Sequence, residues 1–239
     1  MANITSRDVR LFVGGYNPGT STTTTKVTLA AEALDPTIFG DAAERVTGGL
    51  RKDRMEWGGF FDDASGGIDK ILGTLIGTAG IVVSYLIGTG TGARAYAGTS
   101  FMAHGAPVGE VKGLVKVEAE WQPDGTFNVC RSFGPEQSQT AGTTSGSVDN
   151  SAATTGGGAL YTHVIGFSGT NTYRVVLADS ADGTTFADIA TADHTGTGGS
   201  RNTYSGTVRR YVRMVTTWAT TGVGSATGSA TFFASFARD

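Results

Sequence analysis

Two glycine-rich stretches have spacings that phosphate chemistry uses. Gly14-Gly15-Tyr16-Asn17-Pro18-Gly19-Thr20-Ser21 has the glycine spacing of a phosphate loop. Thr20 stands where the lysine should reach the phosphates, and Thr-rich chain follows where a helix must begin, so this is a plain loop. Gly90-Thr91-Gly92-Ala93-Arg94-Ala95 matches the dinucleotide fingerprint G-x-G-x-x-A, with Glu110 twenty residues on. Gly98, Gly105 and Pro107 follow it, and no 3.6-residue apolar stripe begins there, so it reads as a hairpin turn.

The titratable residues offer little more. His104, His163 and His194 lie in three separate segments, without the i, i+4 spacing of metal ligands. Asp62-Asp63 is a carboxylate pair at a helix start, where the helix N-terminus explains it without acid–base work. Cys130 sits in a strand as a buried, inert thiol, and Ser100 and Ser132 lack a nucleophile-elbow setting. Arg209, Arg210 and Arg213 share one strand and offer either a carboxylate or phosphate site or protection of a sheet edge; the second is favoured. The expectation is no catalytic residue, no metal and no cofactor.

The totals agree with that. The chain has 239 residues, 39% hydrophobic and 16% charged, which is globular composition. Gly, at 37 residues, together with abundant Thr suits strands and turns over long helices. The net charge is −3, with 12 Lys+Arg against 14 Asp+Glu in residues 1–135, so neither half is a basic nucleic-acid patch. One cysteine excludes an internal disulfide. The N-terminal ten residues lack the apolar core of a secretory signal, and Ile81–Ile87 is too short to span a bilayer.

The strand that organises the chain is Gly113–Gly125. Val115, Val117, Ala119 and Trp121 alternate with Lys116, Glu118, Glu120 and Gln122, which predicts one buried and one charged face. Pro123-Asp124-Gly125 stops it. Before it, strands are expected at 9–13, 26–31, 54–61, 81–87 and 93–103. Residues 14–25 and 42–52 read as loops, and Asp35-Pro36 as the start of a short helical turn. Met55, Trp57 and Phe61 should share a face. Ile68, Ile71, Leu72 and Leu75 fall at i, i+3, i+4 and i+7, the stripe of a helix of about three turns. After Thr126–Phe133, residues 135–158 turn to Ser, Thr, Gly, Gln and Ala, a linker with at most one edge strand near Ser147–Asn150. Strands at 160–167, 172–177, 186–190, 206–216 and 230–237 then predict an all-β sandwich. The reading is mainly β: a β-rich domain with one helix at 1–134, the linker at 135–158 and a C-terminal sandwich at 159–239.

Leu34-Asp35-Pro36-Thr37-Ile38-Phe39-Gly40-Asp41 and Trp57-Gly58-Gly59-Phe60-Phe61-Asp62-Asp63, with the helix after them and Pro107-Val108-Gly109-Glu110 before the long strand, resemble the major tail (tail tube) proteins of long non-contractile-tailed phages. The resemblance covers roughly residues 1–134. Residues 141–239 are similar to the immunoglobulin-like or carbohydrate-binding-like sandwiches appended to phage structural proteins, through Val176–Gly183, Arg210–Arg213 and Ala230–Arg238. Trp218 is either a sugar platform or a core residue.

This resemblance implies a non-enzymatic virion protein, made in the host cytoplasm, that assembles into hexameric rings stacked as a tube. Its implied partners are further copies, the tape measure, terminator and distal tail proteins, and double-stranded DNA passing without sequence recognition. Host glycans are a further implied partner of the second domain, and no membrane is. Lys116, Glu118 and Glu120 are then expected to face either the lumen or a neighbouring subunit. The loop with Arg45, Arg51, Lys52 and Arg54 is expected to be either a ring-stacking loop or an ordinary solvated one. A capsid decoration or carbohydrate-binding adhesion protein is the alternative.

Overall fold

The computed structural model describes residues 8–19, 21–36, 43, 46–61, 68–109, 114–219 and 228–239. The fold is mainly β, with strands β1 (Val9–Val13), β2 (Thr22–Thr28), β3 (Ala31–Leu34), β4 (Thr47–Arg51) and β5 (Arg54–Phe60), then helix α1 (Ile68–Leu75). There follow β6 (Ile81–Ile87), β7 (Arg94–Val108), β8 (Lys116–Pro123), β9 (Asn128–Ser132), β10 (Gln137–Gln139) and β11 (Val148–Asp149). The last six are β12 (Gly158–Gly169), β13 (Thr172–Ser180), β14 (Ala187–His194), β15 (Gly198–Tyr204), β16 (Tyr211–Ala219) and β17 (Gly228–Arg238).

Contacts group these into two compact units. One holds Met1–Gly19, Ile81–Gly98 and Asn128–Asp239; the other holds Thr20–Gly80 and Thr99–Phe127. In the larger unit, strands run in the order β15-β12-β17-β9-β7, with β10 also on β17 and β6 paired to β1 and β7. A second sheet has the order β11-β16-β13-β14.

The central pair β12–β17 is buried on both faces, because successive side chains of a strand point opposite ways. Leu160 and Val164 of β12 and Phe232, Ala234 and Phe236 of β17 pack against Tyr173, Val175, Leu177, Val212 and Met214 of the second sheet. Their neighbours in sequence, Ala159, Tyr161, Phe233 and Ala237, pack instead with Phe12, Val82, Leu86 and Cys130. Phe233 stacks on Phe12 with centroids 4.3 Å apart. The N-terminal strand thus shares a core with the C-terminal one. Residues 135–158 carry β10, paired with β17, and β11, paired with β16. Arg238 donates to the carbonyls of Asn150 and Ala152, and Arg210 holds Asp149 through both carboxylate oxygens.

The smaller unit is the sheet β7-β8-β5-β2 with α1 and the β3–β4 ribbon. Its interior is Met55, Trp57, Leu72, Met102, Val117, Ala119, Trp121 and Phe127. Gly125 turns the chain after β8 at φ 101°, a conformation that suits glycine because it has no Cβ.

Several expectations change. Residues 14–25 and 42–52 are not wholly loop, since β2 already begins at Thr22 and β4 spans Thr47–Arg51. Phe61 and Val115 fall just outside β5 and β8 and are exposed. The helix is there but has eight residues, about two turns. β15 had no counterpart in the sequence reading. The helical turn expected from Asp35-Pro36 reaches beyond Pro36, outside the described residues, as do Asp62-Asp63.

Candidate functional site

Antiparallel register gathers charged residues of β2, β5 and β8 onto one sheet face. β8 buries Val117, Ala119 and Trp121 and turns Lys116, Glu118, Glu120 and Gln122 outward. β5 pairs with β8 so that Glu56 is opposite Glu120 and Gly58 opposite Glu118. On the other side β7 puts His104 opposite Glu120 and Ala106 opposite Glu118. β2 adds Lys26 opposite Glu56. The result is one row across four strands, Lys26, Glu56, Glu120 and His104, over an open hollow of about 300 Å³.

The electrostatics of this face are balanced. Glu56 receives Lys26 Nζ at 3.2 Å and Arg54 Nε at 3.4 Å. Glu120 Oε1 accepts from Gln122 Nε2 at 3.0 Å. Lys26, Arg54 and Lys116 offset Glu56, Glu118 and Glu120, leaving no excess of cations. Exposed pairs of this kind contribute about 0–1 kcal/mol each, so they set the sign of the surface more than its stability. Gly58 lets β2 lie close, since a Cβ there would come within 2.6 Å of Thr24 Oγ1.

The second feature is the β3–β4 ribbon. It is a two-stranded sheet of its own, pairing Ala31 with Arg51, Ala33 with Gly48 and Leu34 with Thr47. Its root is clamped by Asp53, which is 4% exposed. Asp53 Oδ1 accepts from the Ala30 amide at 3.2 Å and Oδ2 from the Phe127 amide at 3.1 Å. Arg51 grips the same carboxylate with Nε at 3.3 Å and Nη2 at 2.7 Å. The Lys52 amide donates to the Ala30 carbonyl at 2.7 Å. Beyond this rigid root the ribbon is bare: Val46 is 69% exposed, Leu50 79% and Leu34 46%.

Of the loop cations singled out by sequence, Arg51 is therefore tied to Asp53, Lys52 lies 3.3 Å from Glu32, and Arg54 pairs with Glu56. Arg45 lies outside the described residues. The residues the sequence reading missed are the apolar ones, Val46 and Leu50. Their signal was the run Val46-Thr47-Gly48-Gly49-Leu50-Arg51, a short β-prone segment after polar chain.

Most of the other residues that the sequence singles out have partners within the fold. Gly14 opens a turn in which the Val13 and Tyr16 backbones bond each other, and residues 88–93 form the β6–β7 hairpin, with Gly92 at φ 81°. Burial pushes the Cys130 thiol up to about 12. His163 is fully buried between the Gly14 carbonyl and Ser84 Oγ, both at 2.8 Å from its ring nitrogens. Burial lowers it to about 4, so it is neutral; Nδ1–H donates to the carbonyl and Nε2 accepts from the serine. His194 is also lowered, mainly by burial, and its Nε2 is 2.9 Å from Thr162 Oγ1. His104 is exposed on β7.

Ser132 Oγ donates to the Gly90 carbonyl. The Arg209 amide bonds Asp179, Arg210 pairs with Asp149, and Arg213 lies over the Phe186 ring at 3.9 Å. Trp218 packs between Tyr173 and Phe167, at 5.0 and 5.7 Å. Among the described residues no group of three or more His, Cys, Asp or Glu could hold a metal ion. No helix there is long and apolar enough to cross a membrane.

No protein-family model and no curated protein matches the sequence. Among solved structures the chain is similar to the SPP1 tail tube, at 14% identity and TM-score 0.43 over 52% of this chain and 78% of that one. It is similar to the tail of an empty gene transfer agent particle with C6 symmetry, at 16% identity and TM-score 0.38 over 53% and 97%. It is also similar to the SPP1 Dit protein, a hub of the adsorption apparatus, at 15% identity and TM-score 0.38 over 95% and 98%. These structures are phage-tail and tail-like proteins, but at such TM-scores the likeness carries no argument for function.

Proposed function

We propose that this chain is a structural, non-enzymatic subunit of a phage tail, one that assembles with copies of itself into stacked rings forming a tail tube. The observation that carries the proposal is the β3–β4 ribbon. A lone two-stranded ribbon is marginal in water, and apolar side chains left exposed on it mark an interaction surface. Here the ribbon is held rigidly at its root by a buried carboxylate and presents Leu34, Val46 and Leu50 to solvent. That is the arrangement of a part made to be completed by a neighbour. Among the described residues β2 ends the strand order of its sheet, and an edge strand is a template for another chain.

The outward face of β5 and β8 suits a channel wall. DNA held at many repeated phosphate contacts would not pass, since each bound Lys or Arg adds affinity by counterion release. On this face the three cations are offset by three carboxylates, and two of the cations pair with Glu56. Other tail proteins at the tube ends, and a virion location after synthesis in the host cytoplasm, belong to this proposal. Trp218, the aromatic candidate of the adhesion alternative, packs against Tyr173 and Phe167 and stays partly exposed.

Electron microscopy of the purified chain tests the proposal, with rings or striated tubes as the expected result. A monodisperse monomer over the whole concentration range would sink it. Reversing Glu118 and Glu120 to Lys then separates the two placements of β8. Tubes that form but release DNA poorly mark a lumen face, and loss of tubes marks a subunit contact.

A further inference from the structure

In the larger unit, the hairpin that joins β6 to β7 leads into a pair of like charges. β7 and β9 are antiparallel, and their register puts Arg94 directly opposite Arg131. Side chains opposite each other in such a pair have Cβ atoms about 4.5–5.5 Å apart, and like charges there repel. Both residues are exposed, and an arginine keeps its charge in a protein. Elsewhere on these sheets a carboxylate answers such a charge: Arg174 has Asp193 opposite it in register, and Arg210 has Asp149 at 2.6 Å. Among the described residues no ion pair includes Arg94 or Arg131. β17 places Phe236 on the other side of Arg131. The next pair along the same face is Tyr96 with Val129, the latter 52% exposed. Arg131 is also held in place, because its Nη1 donates to the Gly92 carbonyl at 3.2 Å.

We infer that Arg94 and Arg131 together bind a dianionic phosphate group. Each guanidinium is a planar fork of donors that matches phosphate oxygens in pairs. A phosphate monoester carries about −1.5 to −2 charge at neutral pH and three acceptor oxygens, which answers both cations at once. A carboxylate leaves one of the two charges unanswered, and so does the singly charged phosphodiester of DNA. The carbon of Tyr96 and Val129 takes the place of water beside the charges, and attraction strengthens as the local dielectric falls. The unliganded pair repels itself, so a bound dianion relieves a strain that the fold otherwise carries. The site lies on strands that the tail-tube proposal does not use, and the inference stands whether or not copies of the chain assemble.

Thermal unfolding of the full chain, with inorganic phosphate as the probe at about pH 8, tests it. Phosphate stabilises many folded chains by exclusion from their surfaces, so the reading is the difference between parent and variants. In chloride, Arg94→Gln should unfold at the parent midpoint or above it, because one of two like charges is gone. Titrated with phosphate, the parent should gain roughly 5–10 °C more than Arg94→Gln or Arg131→Gln once phosphate reaches about a hundred times Kd. Arg94→Glu should be the most stable form in chloride, since its carboxylate faces Arg131, and should show no such extra gain. Acetate at matched ionic strength should not separate parent from variants. Equal gains from phosphate in the parent and both Gln variants overturn the inference. A midpoint of Arg94→Gln below the parent in chloride also counts against it, because the two charges are then not in conflict. A gain from acetate as large as that from phosphate overturns the assignment of a dianion.

Discussion

The pair β12–β17 and the pair β3–β4 are opposite solutions to the same local problem. Each is two antiparallel strands in register. The first is covered on both faces: Leu160, Val164, Phe232, Ala234 and Phe236 enter the core made with β13 and β16, and Ala159, Tyr161, Phe233 and Ala237 the core made with Phe12, Val82 and Leu86. The second is, among the described residues, exposed along most of both strands and held at its root by Asp53. Apolar residues in the first are spent on folding the chain. Those in the second stay exposed. The same residue types are therefore buried in one region and left bare in the other, and what decides is whether the chain supplies the covering layer.

The comparison breaks most visibly in the doubly covered pair. Phe233→Ala should cost about 4 kcal/mol in urea unfolding, because a fully buried ring is removed and the Phe12 stack leaves a cavity. A cost under about 1 kcal/mol would mean that this layer is loosely packed.

Acid probes the same layer through His163. Its folded value of about 4 lies below the unfolded 6.5, so the unfolded chain binds the proton first. Stability from this group is complete above pH 6.5 and is lost as pH falls toward 4, by about 3 kcal/mol at ~1.36 kcal/mol per unit. Around the ring stand the Gly14 carbonyl, Ser84, Phe12 and Phe233, and His194 further disfavours its charge. His194 shifts in the same direction and adds to the slope. His163→Asn should flatten the profile between these pH values, and an unchanged slope would remove His163 from the account.

At the ribbon root, Asp53→Ala should cost about 2–3 kcal/mol, since the Ala30 and Phe127 amides lose their acceptor while the exposed Arg51 head regains water. Hydrogen exchange should rise across β3 and β4 and stay unchanged in β12 and β17. Leu50→Asp should shift the midpoint by no more than about 0.5 kcal/mol, as exposed substitutions do, and yet abolish assembly.

Local pattern explains what the sequence disclosed. The two-residue alternation of Val117, Ala119 and Trp121 placed β8 and its charged face, and the spacing of Ile71, Leu72 and Leu75 placed α1. Where structure depends on a distant partner, the sequence was silent. β15, with the sequence Gly-Gly-Ser-Arg-Asn-Thr-Tyr, has no apolar alternation and exists because β12 pairs with it. β4 was read as loop because Gly48-Gly49 looks like a turn, whereas Gly49 leaves room for Leu34, whose Cγ would be 3.0 Å from a Cβ there.

The loop cations were read for their charge. Their spacing to Asp53 and Glu56, two residues on along an extended chain, was the clue that they pair locally. The composition shift after residue 134 suggested a division that limited proteolysis can examine. Cleavage within 135–158 releasing a stable 159–239 fragment supports separate domains. Resistance there supports one unit laced by β10, β11 and Arg238.

The central claim is that the bare ribbon drives assembly. Negative-stain imaging of the parent chain beside Leu50→Asp, at equal concentration and with matched thermal midpoints, tests it most directly. Stacked rings from the parent and none from the variant are the predicted result. Stacks of equal length from both would contradict it.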